Sequence, residues 1–448
     1  MFYWALKPFV VISLRVFYKI DLRGLENMRY DQPVVLAPNH VNGFVDPVML
    51  GMFIRKKVRF FARGDAFKGK FAKWILNQMN VSPMFRIQEG FAEIKKNDKS
   101  FEESRQLLTE NKIILLFPEA VCVSERRLRP LKKGLARIVF QTGESFDFNK
   151  DILVIPVGLN YNDPTRFRSK ISIDIGEPVS VKEYEASYRK DKVRAINDFT
   201  KVLEKKMHKN VLSITNPEND RLVAGLEEIY TESWLKEKNL ECKNQHNAYI
   251  ASREMVNMVN VLDEKKPELI SDLRNKVKVY QKRLRQNGLR DHLLKEESIN
   301  KTNIGTFIFE CIVIYLGMPF YLIGLLMNYP PYYLAGKFAD KKIKKPEFYP
   351  SIRVFFSLIL WSVYFLIQLV IIGIAFNSWL LTGVYAVAIC LTGLFVLAFH
   401  PVMKKIIGRW KLLRMARKER KVVEELLNQR NEIMNDLRSA KNEYHSLK

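Results

Sequence analysis

Val34-Val35-Leu36-Ala37-Pro38-Asn39-His40-Val41-Asn42-Gly43-Phe44-Val45-Asp46-Pro47 runs from a short apolar strand into a turn that carries one imidazole and one carboxylate. A neutral histidine oriented by a nearby carboxylate can take a proton from a hydroxyl. Asp46 followed by Pro47 also reads as a helix N-cap with proline at the first helical position, a role compatible with the first. His and Asp are often close in sequence, so the reading depends on what surrounds them. From Val34 to about Val179, short apolar strands alternate with helical stretches, the pattern of an α/β layer fold. Strands are predicted at Val34–Ala37, Val58–Ala62, Ile113–Phe117, Leu153–Leu159 and Ile171–Ile175. Helices are predicted at Val48–Ile54, Lys70–Asn77, Phe101–Glu110 and Gly134–Gln141. The unbroken apolar run Ile113-Ile114-Leu115-Leu116-Phe117 implies a strand buried on both faces.

With 448 residues, 27% of them charged and 48% hydrophobic, the chain has room for more than one domain. Its formal net charge of +25 calls for an anionic partner surface, either nucleic acid or phospholipid. Hydropathy selects the lipid. Val354–Phe376 and Trp379–Phe399 are apolar runs without a charged residue, each able to cross a hydrocarbon core of about 30 Å. The four cysteines are scattered and suggest neither a disulfide framework nor a metal site. The N-terminal 1–24 is expected to hold an amphipathic helix over Pro8–Ile20, lying in the membrane interface with Lys7, Arg15 and Lys19 on one arc. The alternative is a helix capping the soluble core.

An α/β domain is therefore expected over 25–181, a charged helical region over 182–300, a membrane region over 301–403 and a basic helical tail over 404–448. The stretch 304–327 is apolar but holds Glu310 and Gly317-Met318-Pro319. Basic residues precede the second apolar run (Lys337, Lys341, Lys342, Lys344, Lys345, Arg353) and follow the third (Lys404, Lys405, Arg409, Lys411, Arg414). Two crossings keep both clusters on one side, so 304–327 is predicted to enter and return, bent at Gly317–Pro319. In the tail, Leu426, Ile433, Leu437 and Tyr444 sit near heptad spacing, for which packing on a membrane surface is an adequate explanation.

Four segments carry chemistry, in this order: Asn39-His40 through Asp46-Pro47; Pro83-Met84-Phe85-Arg86; Leu115-Leu116-Phe117-Pro118-Glu119-Ala120 with the basic run Arg126–Gly134 behind it; and Val154-Ile155-Pro156-Val157-Gly158. In this order and spacing they resemble the glycerophospholipid acyltransferase family, the lysophosphatidate and glycerol-3-phosphate acyltransferases, over residues 25–180. The resemblance implies a mixed sheet flanked by helices, with His40 as general base and Asp46 holding its tautomer. It further implies direct attack of a glycerol hydroxyl on an acyl thioester, with no covalent enzyme intermediate. Arg86 would be the first phosphate ligand, and Glu119 would help organise the acceptor site. Arg127, Arg129, Lys132 and Lys133 would meet the acceptor phosphate or the donor's phosphates. Taken singly, Arg86 reads equally as a surface ion pair, Glu119 as the end of a strand, and the basic run as a lipid-surface patch.

Two departures from the family pattern stand out. Five residues, Val41 to Val45, separate His40 from Asp46 where four are usual. That spacing is similar to a subgroup of the family, and Gly43 offers a place to absorb the extra residue. Ala120 stands where the family has glycine; if that backbone needs positive φ, alanine would cost about 1 kcal/mol or more. The expected protein is a membrane-bound O-acyltransferase of phospholipid synthesis at the cytoplasmic face of the inner membrane. Its donor would be acyl-CoA or acyl carrier protein and its acceptor 1-acylglycerol-3-phosphate or glycerol-3-phosphate, with no cofactor, no metal and no nucleic acid. The alternatives are an acceptor such as a lysophospholipid or amino acid lipid, a non-catalytic lipid-binding protein on the same fold, and a transporter, suggested by Glu310.

Overall fold

The computed structural model describes residues 2–67, 69–84, 97–295 and 304–447. They form two compact units, one gathering the residues up to Ser213 together with Lys344–Val354, the other holding Ile214–Ile343 and Phe355–Lys448.

In the first unit α1 (Phe2–Phe17) leads directly into β1 (Tyr18–Arg23). Then follow β2 (Val34–Pro38), α2 (Val45–Phe53), β3 (Val58–Arg63), α3 (Lys70–Gln78), β4 (Val81–Met84), α4 (Asn97–Thr109), β5 (Ile113–Leu115), α5 (Gly134–Ser145), β6 (Leu153–Tyr161), β7 (Ser169–Ile175) and β8 (Val179–Ser180). The strands make one sheet in the order β1-β7-β6-β2-β5-β3-β4, with β8 beside β6. Pairing is parallel except where β6 meets β7 and β8, so the sheet is mixed, as expected. β2 lies between β5 and β6 and is buried along its whole length.

The predicted helix over Pro8–Ile20 is corrected at both ends. Pro8 sits inside α1, where its missing N–H forfeits a single bond, and Tyr18–Ile20 are already strand. The signal was present: Tyr18, Ile20 and Leu22 alternate with Lys19, Asp21 and Arg23, a period of two. Tyr3, Val10, Leu14 and Phe17 of α1 are buried, while Trp4, Phe9 and Ile12 are exposed. The Tyr3 hydroxyl and the Lys7 ammonium donate to the carbonyls of Gly51 and Ile54 at the end of α2, 2.8 Å each. One face of α1 thus caps the domain and the other is an exposed apolar surface.

The first unit also runs past the expected boundary at 181. After the short α6 (Glu185–Lys190), helix α7 (Lys192–Asn210) buries Ala195, Phe199, Leu203 and Met207 in the same core as Val35, Ile114, Val139 and Val154. The helical spacing of Leu203 and Met207 therefore belongs to the sheet's own cover.

The second unit contains α8 (Asp220–Glu237), α9 (Gln245–Lys265), α10 (Pro267–Gln286), α11 (Ile304–Lys342), most of α12 (Tyr349–Phe376), α13 (Trp379–Lys418) and α14 (Arg420–Ser446). The heptad-spaced Leu426, Ile433, Leu437 and Tyr444 of α14 are buried against Leu226, Val259, Leu273 and Tyr280. Their apolar face is satisfied inside a helical core, which replaces the explanation by membrane-surface packing.

Among the described residues, three helices are long and apolar enough to cross a membrane: 305–342, 346–376 and 379–418. The predicted return at Gly317–Pro319 is overturned, because α11 is one helix of 39 residues with Pro319, Pro330 and Pro331 inside it. Gly317 serves close packing: a Cβ there would lie 2.3 Å from the Phe399 ring. Gly324 likewise admits the backbone of Thr392. Glu310 is ion-paired with Arg409 at 2.9 Å and accepts from the Trp410 indole at 2.9 Å, so it joins α11 to α13. This pairing explains a carboxylate at the head of an apolar helix without any transport role.

Candidate active site

The site is assembled at the carboxyl ends of adjacent parallel strands, where open α/β sheets leave room for ligands. Asn39, one residue past β2, extends the pairing with β6: its side-chain carbonyl accepts from Leu159 N–H at 2.7 Å and its amide donates to Leu159 O at 3.2 Å. The chain then turns, and His40 Nδ1 meets Asp46 Oδ2 at 3.0 Å. That oxygen also accepts the backbone N–H of Val41 at 2.8 Å and of Asn42 at 2.7 Å, while Oδ1 accepts the Tyr161 hydroxyl at 2.8 Å. Asp46 is completely buried. Four donor positions converge on this one carboxylate, and the imidazole tautomer that donates to it carries its proton on Nδ1. Nε2 is then the basic atom. The imidazole stacks on Phe117 with centroids 3.7 Å apart, which fixes its plane.

Asp46 is not the N-cap suggested by Asp46-Pro47. Helix α2 begins at Val45, its N-cap is Phe44, and no local side chain caps it. The carboxylate points back into the turn, so the five intervening residues wrap around it. Gly43 has φ +21°, and a Cβ there would lie 2.9 Å from both Glu347 O and a Phe348 ring carbon. The turn therefore requires glycine for space as well as for conformation.

Glu119 follows β5 and is also buried. Its Oε1 accepts the backbone N–H of His40 at 2.9 Å and its Oε2 that of Arg129 at 3.0 Å. One carboxylate thus ties the His40–Asp46 turn to the basic loop behind the third motif. Burial pushes its pKa up to about 7, against the two backbone donors that favour its charge. Arg127 Nε and Arg129 Nη2 share the Glu125 carboxylate at 2.9 and 2.7 Å. Lys132 and Lys133 are exposed just before α5. The structure thus brings together His40, Asp46, Glu119 and the main chain of Arg129, with Arg127 beside Arg129. Arg86 lies outside the described residues.

Ala120 adopts φ +57°, the left-handed conformation feared from the sequence, at a cost of about 1–2 kcal/mol for a side chain with Cβ. The unusual continuation Ala120–Ser124 folds onto the His40–Asp46 turn. Val123 N–H donates to His40 O at 3.1 Å, and Gly43 N–H meets Cys122 Sγ at 3.2 Å. Burial and the nearby Asp46 push the Cys122 thiol well above its ordinary pKa, so it stays protonated.

Sequence reasoning missed Tyr161, Tyr18, Asn42 and Ser351 as parts of this site. Burial and Asp46 hold the Tyr161 hydroxyl far above the usual phenol range, which keeps it a donor. Asn42 is buried and donates to Tyr18 Oη at 3.2 Å. A tyrosine ending a strand carries no signal in sequence that separates it from ordinary residues; Asn42 does carry one, as the asparagine usual at the second place of the similar five-residue subgroup.

Residues 19–160 match the family model described as acyltransferase, and residues 243–387 match that described as the glycerol-3-phosphate acyltransferase 2 C-terminal domain. The chain is 25% identical over 53% of its length to glycerol-3-phosphate O-acyltransferase 1 of Saccharomyces cerevisiae. It is 27% identical over 34% of its length to a chloroplastic 1-acyl-sn-glycerol-3-phosphate acyltransferase of Arabidopsis thaliana. The matched stretches span 31% and 39% of those relatives' own lengths. The crystal structure of the 1-acyl-sn-glycerophosphate acyltransferase of Thermotoga maritima superposes with a TM-score of 0.33 at 18% identity, over 46% of this chain and 79% of that one. The chain thus carries an acyltransferase-family domain over residues 19–160, followed over residues 243–387 by a segment that matches the glycerol-3-phosphate acyltransferase 2 C-terminal domain.

Proposed function

We propose that this protein is a membrane-bound O-acyltransferase of phospholipid synthesis. It moves a fatty acyl group from the thioester of acyl-CoA or acyl carrier protein to a hydroxyl of 1-acylglycerol-3-phosphate or glycerol-3-phosphate. The observation that carries the reading is the His40–Asp46 pair at 3.0 Å, with Nε2 left as the base. Nε2 removes the proton of the acceptor hydroxyl as its oxygen attacks the thioester carbonyl. The tetrahedral adduct collapses, the C–S bond breaks, and the imidazolium returns its proton to the departing thiolate. Asp46 stabilises the imidazolium in between. Arg127 and Arg129, held as a pair by Glu125, are the proposed phosphate ligands, with Lys132, Lys133 and Arg86 adding positive charge. The exposed Trp4, Phe9 and Ile12 of α1 and the net charge of +25 suit anionic headgroups at the cytoplasmic face of an inner membrane.

The acceptor's phosphate is the feature to test. Purified protein with acyl-CoA or acyl carrier protein would be offered lysophosphatidate, glycerol-3-phosphate, monoacylglycerol and glycerol. Acylation of a phosphorylated acceptor but not of its dephosphorylated counterpart is expected. Equal turnover of both would reject the phosphate-binding role and favour a lysophospholipid or amino acid lipid. No product from any pairing, with the protein shown to be folded, would favour a non-catalytic lipid-binding role.

A further inference from the structure

Helix α2 starts at the catalytic turn without a cap of its own, because Phe44 has no side-chain acceptor. The acceptor comes from more than 300 residues away. Ser351 Oγ accepts the N–H of Phe44 at 2.9 Å and of Val45 at 3.3 Å, and it donates to Asn42 Oδ1 at 3.3 Å. Ser351 is completely buried and sits in the first turn of α12, an apolar helix, yet its hydroxyl serves the start of another helix. The same short segment presses on the turn from the side. Phe348 packs on Phe44 with ring centroids 5.7 Å apart, and its ring together with Glu347 O closes the space above Gly43. Lys344–Val354 thus belongs to the first unit by its contacts, although in sequence it runs from the end of α11 into the start of α12.

We infer that Ser351 is a positioning residue of the reaction, resting on the acyltransferase reading above. It fixes residues 42–45, and through them the wrap of main chain that delivers Asp46 to His40. It touches no reacting atom. Removing its hydroxyl frees two N–H groups and the side-chain carbonyl of Asn42 at the point where the turn becomes helix, so the His40–Asp46 geometry loosens without loss of either group.

The test uses the full-length protein in detergent or nanodiscs, with Ser351→Ala, Ser351→Thr, His40→Ala and the double variant of His40 and Ser351. Ser351→Ala is expected to lower kcat on the order of 10- to 100-fold at nearly unchanged KM, the signature of lost orientation. Ser351→Thr, which keeps the hydroxyl, restores most of the rate. In the His40→Ala background Ser351→Ala causes no further loss, since it acts through that histidine. A readout independent of turnover is hydrogen exchange at the amides of Phe44 and Val45, expected to accelerate by about tenfold or more in Ser351→Ala while β2 and β6 stay protected. Unchanged exchange at these amides, or an active wild type with an equally active Ser351→Ala, overturns the proposal. Accelerated exchange in a protein with no acyl transfer would keep the hold of Ser351 on the turn while removing the acyltransferase reading and, with it, the role in catalysis.

Discussion

Asp46→Ala is expected to abolish acyl transfer and to destabilise the domain, whereas Asp46→Asn should abolish most of the rate and spare the fold. The difference follows from which oxygen each donor uses. Three donors (His40 Nδ1–H and the N–H groups of Val41 and Asn42) converge on Oδ2, and the Tyr161 hydroxyl alone meets Oδ1. Alanine leaves all four without an acceptor in a buried site. At about 1–3 kcal/mol for each buried unpaired donor, the two backbone N–H groups alone make the loss about 2–6 kcal/mol. Asparagine can place its carbonyl where Oδ2 stands and offer its amide to Tyr161, whose hydroxyl turns to accept. The imidazole then keeps its tautomer but loses the negative charge that stabilises the imidazolium as it forms. A rate reduction on the order of 100-fold or more is expected, with a thermal midpoint near that of wild type. A near-wild-type rate for Asp46→Asn would mean that the charge has no part in the chemistry.

His40→Ala is the second large effect, and here stability should hardly move. The backbone of His40 keeps its bonds from N–H to Glu119 Oε1 and from O to Val123 N–H, and Asp46 retains three of its four donors. What disappears is the proposed base. General-base catalysis contributes about 10²–10⁴-fold, so kcat should fall by that range or more while KM for both substrates changes little. Acyl transfer by the purified variant, set beside its thermal midpoint, checks both halves of this expectation.

The sheet was legible because its strands announce themselves. Val34–Ala37 and Ile113–Phe117 are apolar runs too short for helices, and both became adjacent central strands. That His40, Asp46 and Glu119 would meet was legible for a related reason, since His40 and Glu119 each lie a few residues past such a strand and Asp46 closes the turn that follows His40. The edge strand Tyr18–Arg23 was hidden because it continues from the helix without an intervening turn. Gly317 and Pro319 misled because a glycine that bends a helix and one that admits a neighbouring ring look identical in sequence; here Phe399 decides. Ala120 was read correctly as strained if its φ were positive, and it is. Tyr161 and Ser351 could not be found at all, because their roles depend on tertiary pairings across 115 and more than 300 residues.

The proposed function requires direct transfer from thioester to acceptor hydroxyl through His40. Cys122 is the thiol at this turn, and its burial and raised pKa make it a poor nucleophile. The decisive measurement is rapid-quench release of free thiol from an acyl thioester, with and without acceptor, using acyl-labelled donor. Thiol should appear only when a phosphorylated glycerol acceptor is present, in equal amount to labelled lipid, and not with His40→Ala. A burst of thiol without acceptor, leaving label bound covalently to the protein, would contradict the account.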